Sequence, residues 1–234
     1  MYYPMFFDPT YLLILIGVML SLWASAKLRS TYSKYSQMRS YSGITGAEAA
    51  EKILHTSGIY DVRVEHIAGN LTDHYDPGSK VLRLSDTVYG SQSVAAIGVA
   101  AHECGHAVQH AKGYTPLRFR SALVPIANFG ATISWPLILV GILIGGSNSS
   151  LLISLGIFAF SFAVLFQLVT LPVEYNASNR AVGILGQSGI LGQEELTAAK
   201  KVLGAAALTY VAGAATQILQ LLRLLILFGG RRRD

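Results

Sequence analysis

Three long runs without a charged side chain decide what this chain can fold into. Residues 11–26 (YLLILIGVMLSLWASA), 122–146 and 151–171 (LLISLGIFAFSFAVLFQLVTL) contain no Asp, Glu, Lys or Arg. A helix crosses the bilayer core, about 30 Å thick, with about 20 mainly apolar residues, so runs of this kind point to a mainly α membrane protein. Composition agrees: charged residues make up 13% of the chain, against about 25% in soluble domains. That excludes a disordered chain and argues against an ordinary soluble globule. The single cysteine, Cys104, excludes a disulfide framework and any cysteine-rich zinc module.

Orientation follows from where the cations fall. The first run carries no Lys or Arg before it and meets Lys27, Arg29, Lys34 and Arg39 after it. A cleavable signal would have the opposite order, so the expectation is an uncleaved anchor with its N-terminus outside. Of the 18 Lys and Arg, 11 lie between residues 27 and 121 and 3 more between 171 and 201. Both segments are therefore expected on the cytoplasmic side of a multi-pass protein of the cell membrane. The second run, interrupted by Pro125 and Pro136, is joined to the third by Gly145 to Ser150 alone. So short a link makes an antiparallel hairpin whose outer ends return to one membrane face.

The fourth apolar stretch, 202–228, carries Thr209, Thr216, Gln220 and Arg223 at helical spacing. Two readings stand: a stripe turned to a bundle interior or wet cavity, or a helix lying along the interface. Four spans would leave Arg231, Arg232 and Arg233 outside, and three would keep them inside, where such a tail meets anionic headgroups. The domain layout expected is an anchor (1–26), a cytoplasmic α+β unit (27–121), a transmembrane hairpin (122–171), a cytoplasmic helix (172–201), and a fourth apolar helix with a basic tail (202–234).

Within the polar unit, Thr45-Gly46-Ala47-Glu48 reads as a capping box that opens a helix ending near Gly58. Residues 62–67 and 80–85 alternate in polarity and read as two strands of a hairpin, with a turn at Asp76-Pro77-Gly78-Ser79. A helix is expected from about Gln92 to Ala111, stopped by Gly113 and Pro116.

That last helix contains His102-Glu103-Cys104-Gly105-His106, an H-E-x-x-H sequence. Positions i and i+4 share a helix face, so both imidazoles can reach one Zn²⁺. Glu103 is then aimed beside the metal, at a water in the fourth position. There it serves as general base, and next as general acid to the leaving amine. Composition alone predicts roughly 0.005 such matches in a chain of this kind, so the motif is specific. Cys104 points away from the ligand face, which leaves no Cys–His nucleophile.

A catalytic zinc needs a third protein ligand. His110 lies about 12 Å of helix rise from His102, too far for a shared metal. The position of a metzincin's third histidine is Lys112. His55, His66 and His74 stand in the polar region and could fold back. Glu174 is the more telling candidate: no Asp or Glu occurs between Glu103 and Glu174, and the hairpin returns Glu174 to the face that carries the motif. A carboxylate desolvated there needs a partner, and the alternatives are zinc or Arg180.

At these residues the chain resembles the YugP-like neutral zinc metallopeptidases, in Ala101 to His110 and in Leu171-Pro172-Val173-Glu174-Tyr175. The layout is similar, more distantly, to HtpX/Ste24-type membrane proteases. The resemblance implies an integral membrane zinc metalloendopeptidase with a small gluzincin-like unit facing the cytoplasm, His102, His106 and Glu174 as ligands and Glu103 as base. By analogy with gluzincins, the strand 80–85 pairs with an extended substrate. One departure stands out: the acidic residue that gluzincins carry one turn after the ligand Glu is Ser178 here, leaving Asp86 or Glu65 to orient the ligand histidines. The partners implied are a peptide or protein substrate, the lipid bilayer, and a membrane protein partner or a second copy of the chain. Nothing interleaves aromatic and basic residues as nucleic-acid binding requires. The rival readings are a non-catalytic membrane scaffold tied together by zinc, and a small transporter using the polar stripe.

Overall fold

A computed structural model describes residues 8–146 and 149–229. In chain order the elements are α1 (Tyr11–Ser36), α2 (Gly46–Thr56), β1 (Arg63–Ile67), β2 (His74–Asp76), β3 (Val81–Ser85), α3 (Val94–Ala111), α4 (Thr115–Ile144), α5 (Ser149–Gln187) and α6 (Gln193–Phe228). The protein is mainly helical, with four helices (α1, α4, α5, α6) long and apolar enough to cross a membrane and one small three-stranded sheet. The chain divides into two compact units. One, apolar, comprises Met1–Ala24, Phe119–Leu171 and Thr209–Asp234; the other, polar, comprises Ser25–Arg118 and Pro172–Leu208.

The borders expected at 26/27, 121/122, 171/172 and 201/202 all fall inside continuous helices, and the one at 171/172 coincides with the division between the two units. α5 carries the third apolar run and Glu174 on one rod through Pro172, and α6 begins at Gln193. α4 likewise passes unbroken through Pro125 and Pro136. Proline is tolerated inside membrane helices because breaking the rod would expose more backbone to lipid than the one lost hydrogen bond. Pro116 sits in the first turn of α4, where its missing N–H costs nothing.

In the apolar unit, α4 and α5 form an antiparallel hairpin. The two pass closely at Gly130, where a Cβ would stand 2.4 Å from the carbonyl oxygen of Ala159. α1 and α6 also run antiparallel. Thr216 Oγ1 donates to the carbonyl oxygen of Gly17 (3.0 Å). Further along, Arg223 reaches Thr10 Oγ1 (3.2 Å) and the Asp8 carboxylate (3.4 Å) and lies over the Tyr11 ring. Two members of the polar stripe are thus engaged with α1 or the residues that precede it. The basic tail Arg231–Arg233 lies outside the described residues.

In the polar unit, the capping box forms: the Thr45 N–H donates to Glu48 Oε2 (2.7 Å) and the Glu48 N–H to Thr45 Oγ1 (3.2 Å). α2 packs its Ala49, Ala50, Ile53 and Leu54 into a core shared with Leu82, Leu84 and the apolar residues of α3. α3 is capped by Ser93, whose Oγ accepts from the Ala96 N–H (3.2 Å). From Val94 to Gln109 every residue of α3 but Val99 is buried, which fits a helix of Ala, Gly and Val surrounded on all sides.

The sheet corrects the expected pairing. Strands 62–67 and 80–85 do not form a hairpin: β1 runs parallel to β3, and β2 is the antiparallel partner of β3, giving the order β1-β3-β2. The turn at 76–79 closes the short β2–β3 hairpin instead. Asp76 organises that turn by accepting from Ser79 Oγ (2.6 Å) and from the Gly78 N–H (2.9 Å). These bonds, the Ser79 hydroxyl first, hold the Asp76 carboxyl down at about 2.

Two predictions follow from this packing. A Cβ on Gly105 would stand 2.5 Å from the carbonyl oxygen of Ala177 on α5, so Gly105→Ala must push the two helices apart. Thermal unfolding should show a loss of about 1–3 kcal/mol. For Asp76, a folded pKa below the ordinary 3.8 means its contribution to stability is present above that value and lost as pH falls through about 2. Asp76→Asn should lower the melting temperature at pH 7 and leave it unchanged near pH 2.

Candidate metal centre

His102 and His106 stand one turn apart on α3, their rings edge to face with centroids 4.8 Å apart. Glu174, on α5, brings Oε2 to 3.2 Å from His102 Nε2 and 3.5 Å from His106 Nε2. All three residues are buried, at 8%, 8% and 3% exposure, and their ligand atoms lie within 4.8 Å of one another. A tetrahedral zinc with bonds of about 2.0–2.1 Å separates its ligand atoms by about 3.3 Å. The two nitrogen–oxygen spacings fit that edge, and two imidazoles with one carboxylate make a donor set suited to a catalytic zinc with one open position. Among the described residues no other His, Cys, Asp or Glu group gathers in this way.

The rings are held from behind by neutral groups. Gln109, fully buried, donates through Nε2 to the Val173 carbonyl oxygen (2.8 Å) and to Asn176 Oδ1 (3.0 Å). Both partners are acceptors, so the amide orientation is determined and Oε1 faces His106 Nδ1 at 3.0 Å. An amide oxygen only accepts. His106 Nδ1 therefore carries a proton, which leaves Nε2, 3.5 Å from Glu174 Oε2, as the ring atom a metal would take. Ser178 Oγ stands behind His102 in the same way, 3.1 Å from Nδ1.

These two residues replace the carboxylates expected for that work. Asp86 is occupied by His66 (2.6 Å) and the Gly69 N–H (2.8 Å), and Glu65 by Arg63 and Arg83. Gln109 was legible as the residue three positions after His106, and Ser178 as the one four after Glu174. Neither residue type announces itself as a ligand's partner.

The other histidines stand apart. His55 stacks on Tyr60, His66 pairs with Asp86, His74 Nδ1 meets the Thr72 carbonyl oxygen, and His110 meets the Tyr75 hydroxyl. Arg180 donates to Asn176 Oδ1 (2.7 Å). Burial disfavours the charged form of Glu174. Hydrogen bonds to His102 and His106, with the charge on their rings, outweigh it and hold the carboxyl well below its ordinary range. A cation entering the cluster meets a ready anion and releases the protons shared with it. Cys104 points to α2, its Sγ 3.5 Å from the Ala50 carbonyl oxygen, and burial pushes its thiol well up. It is an inert core residue. Glu103 turns to the sheet, where its Oε2 accepts from the Tyr75 N–H (3.0 Å).

Comparison with known proteins agrees with this chemistry. The profile of the family described as "Putative neutral zinc metallopeptidase" matches residues 10–229. The chain belongs to that family. It is also 49% identical over 209 residues to the "Putative membrane protease YugP" of Bacillus subtilis (strain 168), a match that covers 89% of this chain and 92% of that protein. No solved structure matches it. Membership brings the metal with it: zinc is the cofactor, and His102, His106 and Glu174 form a group able to hold it.

The neutral partners should matter for affinity. Gln109→Ala leaves the His106 ring without its anchor and should weaken zinc binding about 10- to 100-fold, read by competition with a chromogenic chelator. Ser178→Ala should do the same through His102.

Proposed function

We propose that this protein is an integral membrane zinc endopeptidase, with His102, His106 and Glu174 as the metal ligands and Glu103 as the catalytic acid–base. The observation that carries it is the convergence of two Nε2 atoms and one buried carboxylate oxygen, with a neutral group behind Nδ1 of each imidazole. A zinc ion held there supplies Lewis-acid polarisation and activates water near neutral pH. Glu103 takes the proton of the attacking water. It then delivers that proton to the amine that leaves as the peptide bond breaks.

Substrate binding is assigned to β2 and not to the strand 80–85. β3 is paired on both sides, by β1 and β2, and has no edge to offer. β2 has one partner, and the Tyr75 N–H turns away from β3 toward Glu103. A strand residue presents its N–H and C=O to the same side. The Tyr75 carbonyl therefore faces the open edge, where it can accept from the N–H of an extended peptide. The substrate is then an unfolded segment, of a membrane-associated or cytoplasmic protein, presented as a strand.

Four spans are the count we favour. The antiparallel run of α1 and α6 supports it by bringing Asp8 and Arg223 to one end of the apolar unit. With 14 of the 18 Lys and Arg in segments 27–121 and 171–201, the positive-inside rule puts the polar unit in the cytoplasm and both chain ends outside.

The test is a pair of measurements on detergent-purified protein. Metal analysis should find about one zinc per chain, lost in His102→Ala and in Glu174→Ala. Glu103→Gln should keep the zinc and lose peptidase activity by at least about 100-fold. Full activity in Glu103→Gln would overturn the assignment. Zinc retained in Glu174→Ala would remove that residue from the ligand set.

A further inference from the structure

Tyr75 stands in the middle of β2, yet its N–H and its hydroxyl both leave the sheet. The N–H goes to Glu103 Oε2 at 3.0 Å, and the hydroxyl to His110 Nδ1 at 2.9 Å. Both partners belong to α3. They are seven residues apart, which is close to two full turns and about 10 Å of rise, so they lie on nearly the same face. One residue of the edge strand is thus pinned to the motif helix at two points.

Each contact has few substitutes. The Tyr75 N–H is the one hydrogen bond recorded for the Glu103 carboxylate among the described residues. His110, too far along the helix to share the metal, meets the Tyr75 ring at a centroid distance of 5.9 Å. The Tyr75 ring packs half-buried against the core of the polar unit. Burial, with the charges of Asp61 and Asp76, pushes the Tyr75 phenol up to about 12. The hydroxyl therefore keeps its proton and can donate it to Nδ1.

We infer that Tyr75 and His110 form a latch that holds β2 against α3 and so sets the direction of the Glu103 carboxylate. Tyr75 is then a positioning residue for the general base, and His110 acts on the chemistry only through it. The inference rests on the reading of Glu103 as that base. A carboxylate on a surface of small side chains has free rotation about its last bonds. One N–H on Oε2 removes that freedom and leaves Oε1 to receive a proton. The bond survives only while β2 keeps its place, because a strand that slides by a fraction of an ångström carries the N–H away. The phenol–imidazole bond resists such a slide at the far end of the same residue.

The test compares the zinc-loaded parent with Tyr75→Phe, His110→Ala and the double variant. Both single changes keep the backbone N–H and the metal ligands. Each should lower kcat about tenfold, since small displacements of a catalytic group cost one to two orders of magnitude. Zinc content and melting temperature should stay at parent values. The double variant should be no slower than either single one, because both remove the same bond. His110→Gln, whose amide oxygen can accept from the phenol, should recover part of the loss. A second readout needs no activity: in zinc-free protein, hydrogen exchange at the Tyr75 amide should quicken in Tyr75→Phe, in His110→Ala and in Glu103→Ala. Parent-like kcat and exchange in both single variants, or losses that multiply in the double, would overturn the latch. An inactive Glu103→Gln beside a fully active Tyr75→Phe would defeat the latch alone. A fully active Glu103→Gln would remove Glu103 as the general base, with the exchange rates still judging the contact.

Discussion

The metal centre depends on how closely two helices can pass. α3 brings both histidines and α5 brings the carboxylate, and their ligand atoms meet at 3.2–3.5 Å only because backbone touches backbone between them. Gly105, inside the H-E-x-x-H motif, lies against the Ala177 carbonyl, where even a methyl group would collide. The neighbouring contacts follow from that approach. Gln109 reaches the Val173 carbonyl and Asn176, and Ser178 reaches His102. A wider interaxial distance would loosen the cluster and its supports together, since they are strung along the same seam.

The neutrality of those supports has a chemical consequence. A carboxylate behind an imidazole adds negative charge and raises the ligand's basicity. Here an amide fixes the tautomer of His106 and a hydroxyl orients His102, both without that charge. The cluster then offers one anion, Glu174, to a divalent cation. Burial of this network is tolerable because it is satisfied: Gln109 uses its oxygen and both donors' worth of its nitrogen on three separate acceptors and donors.

The apolar unit handles its polar groups differently. Arg223 and Asp8 are both largely withdrawn from solvent, with side-chain exposures of 13% and 19%, and a charge in such a place is costly unless paired. The guanidinium is paired with a carboxylate, bonded to Thr10 and laid on the Tyr11 ring. Thr216 bonds the Gly17 carbonyl. Residues that read as a candidate solute pathway in a single helix are used, at Thr216 and Arg223, to pack α6 against α1. That leaves the transporter reading without its main support.

Local patterns were legible before any tertiary contact was known. The charge-free runs, the Thr45–Glu48 capping box and the H-E-x-x-H helix each depend on residues within a few positions of one another, where periodicity and capping chemistry act directly. Glu174 was reachable too, because the short 145–150 link limits where the chain can return. What sequence reasoning could not supply were the relations set by distant partners. The parallel pairing of β1 with β3 arises because the three-residue β2 takes the hairpin position, and a strand that short has no periodicity to read. The continuity of α4 and α5 through their prolines is decided by surroundings that make a broken rod costlier than a missing hydrogen bond. Ser178 and Tyr75 acquire roles through atoms 28 to 76 residues away, and Gln109 is set in place by Val173 and Asn176, 64 and 67 residues on. The sequence by itself determined the membrane class, the motif and the donor types; the tertiary structure decided which donors meet, because convergence at 3 Å is a property of helix packing and not of spacing along the chain.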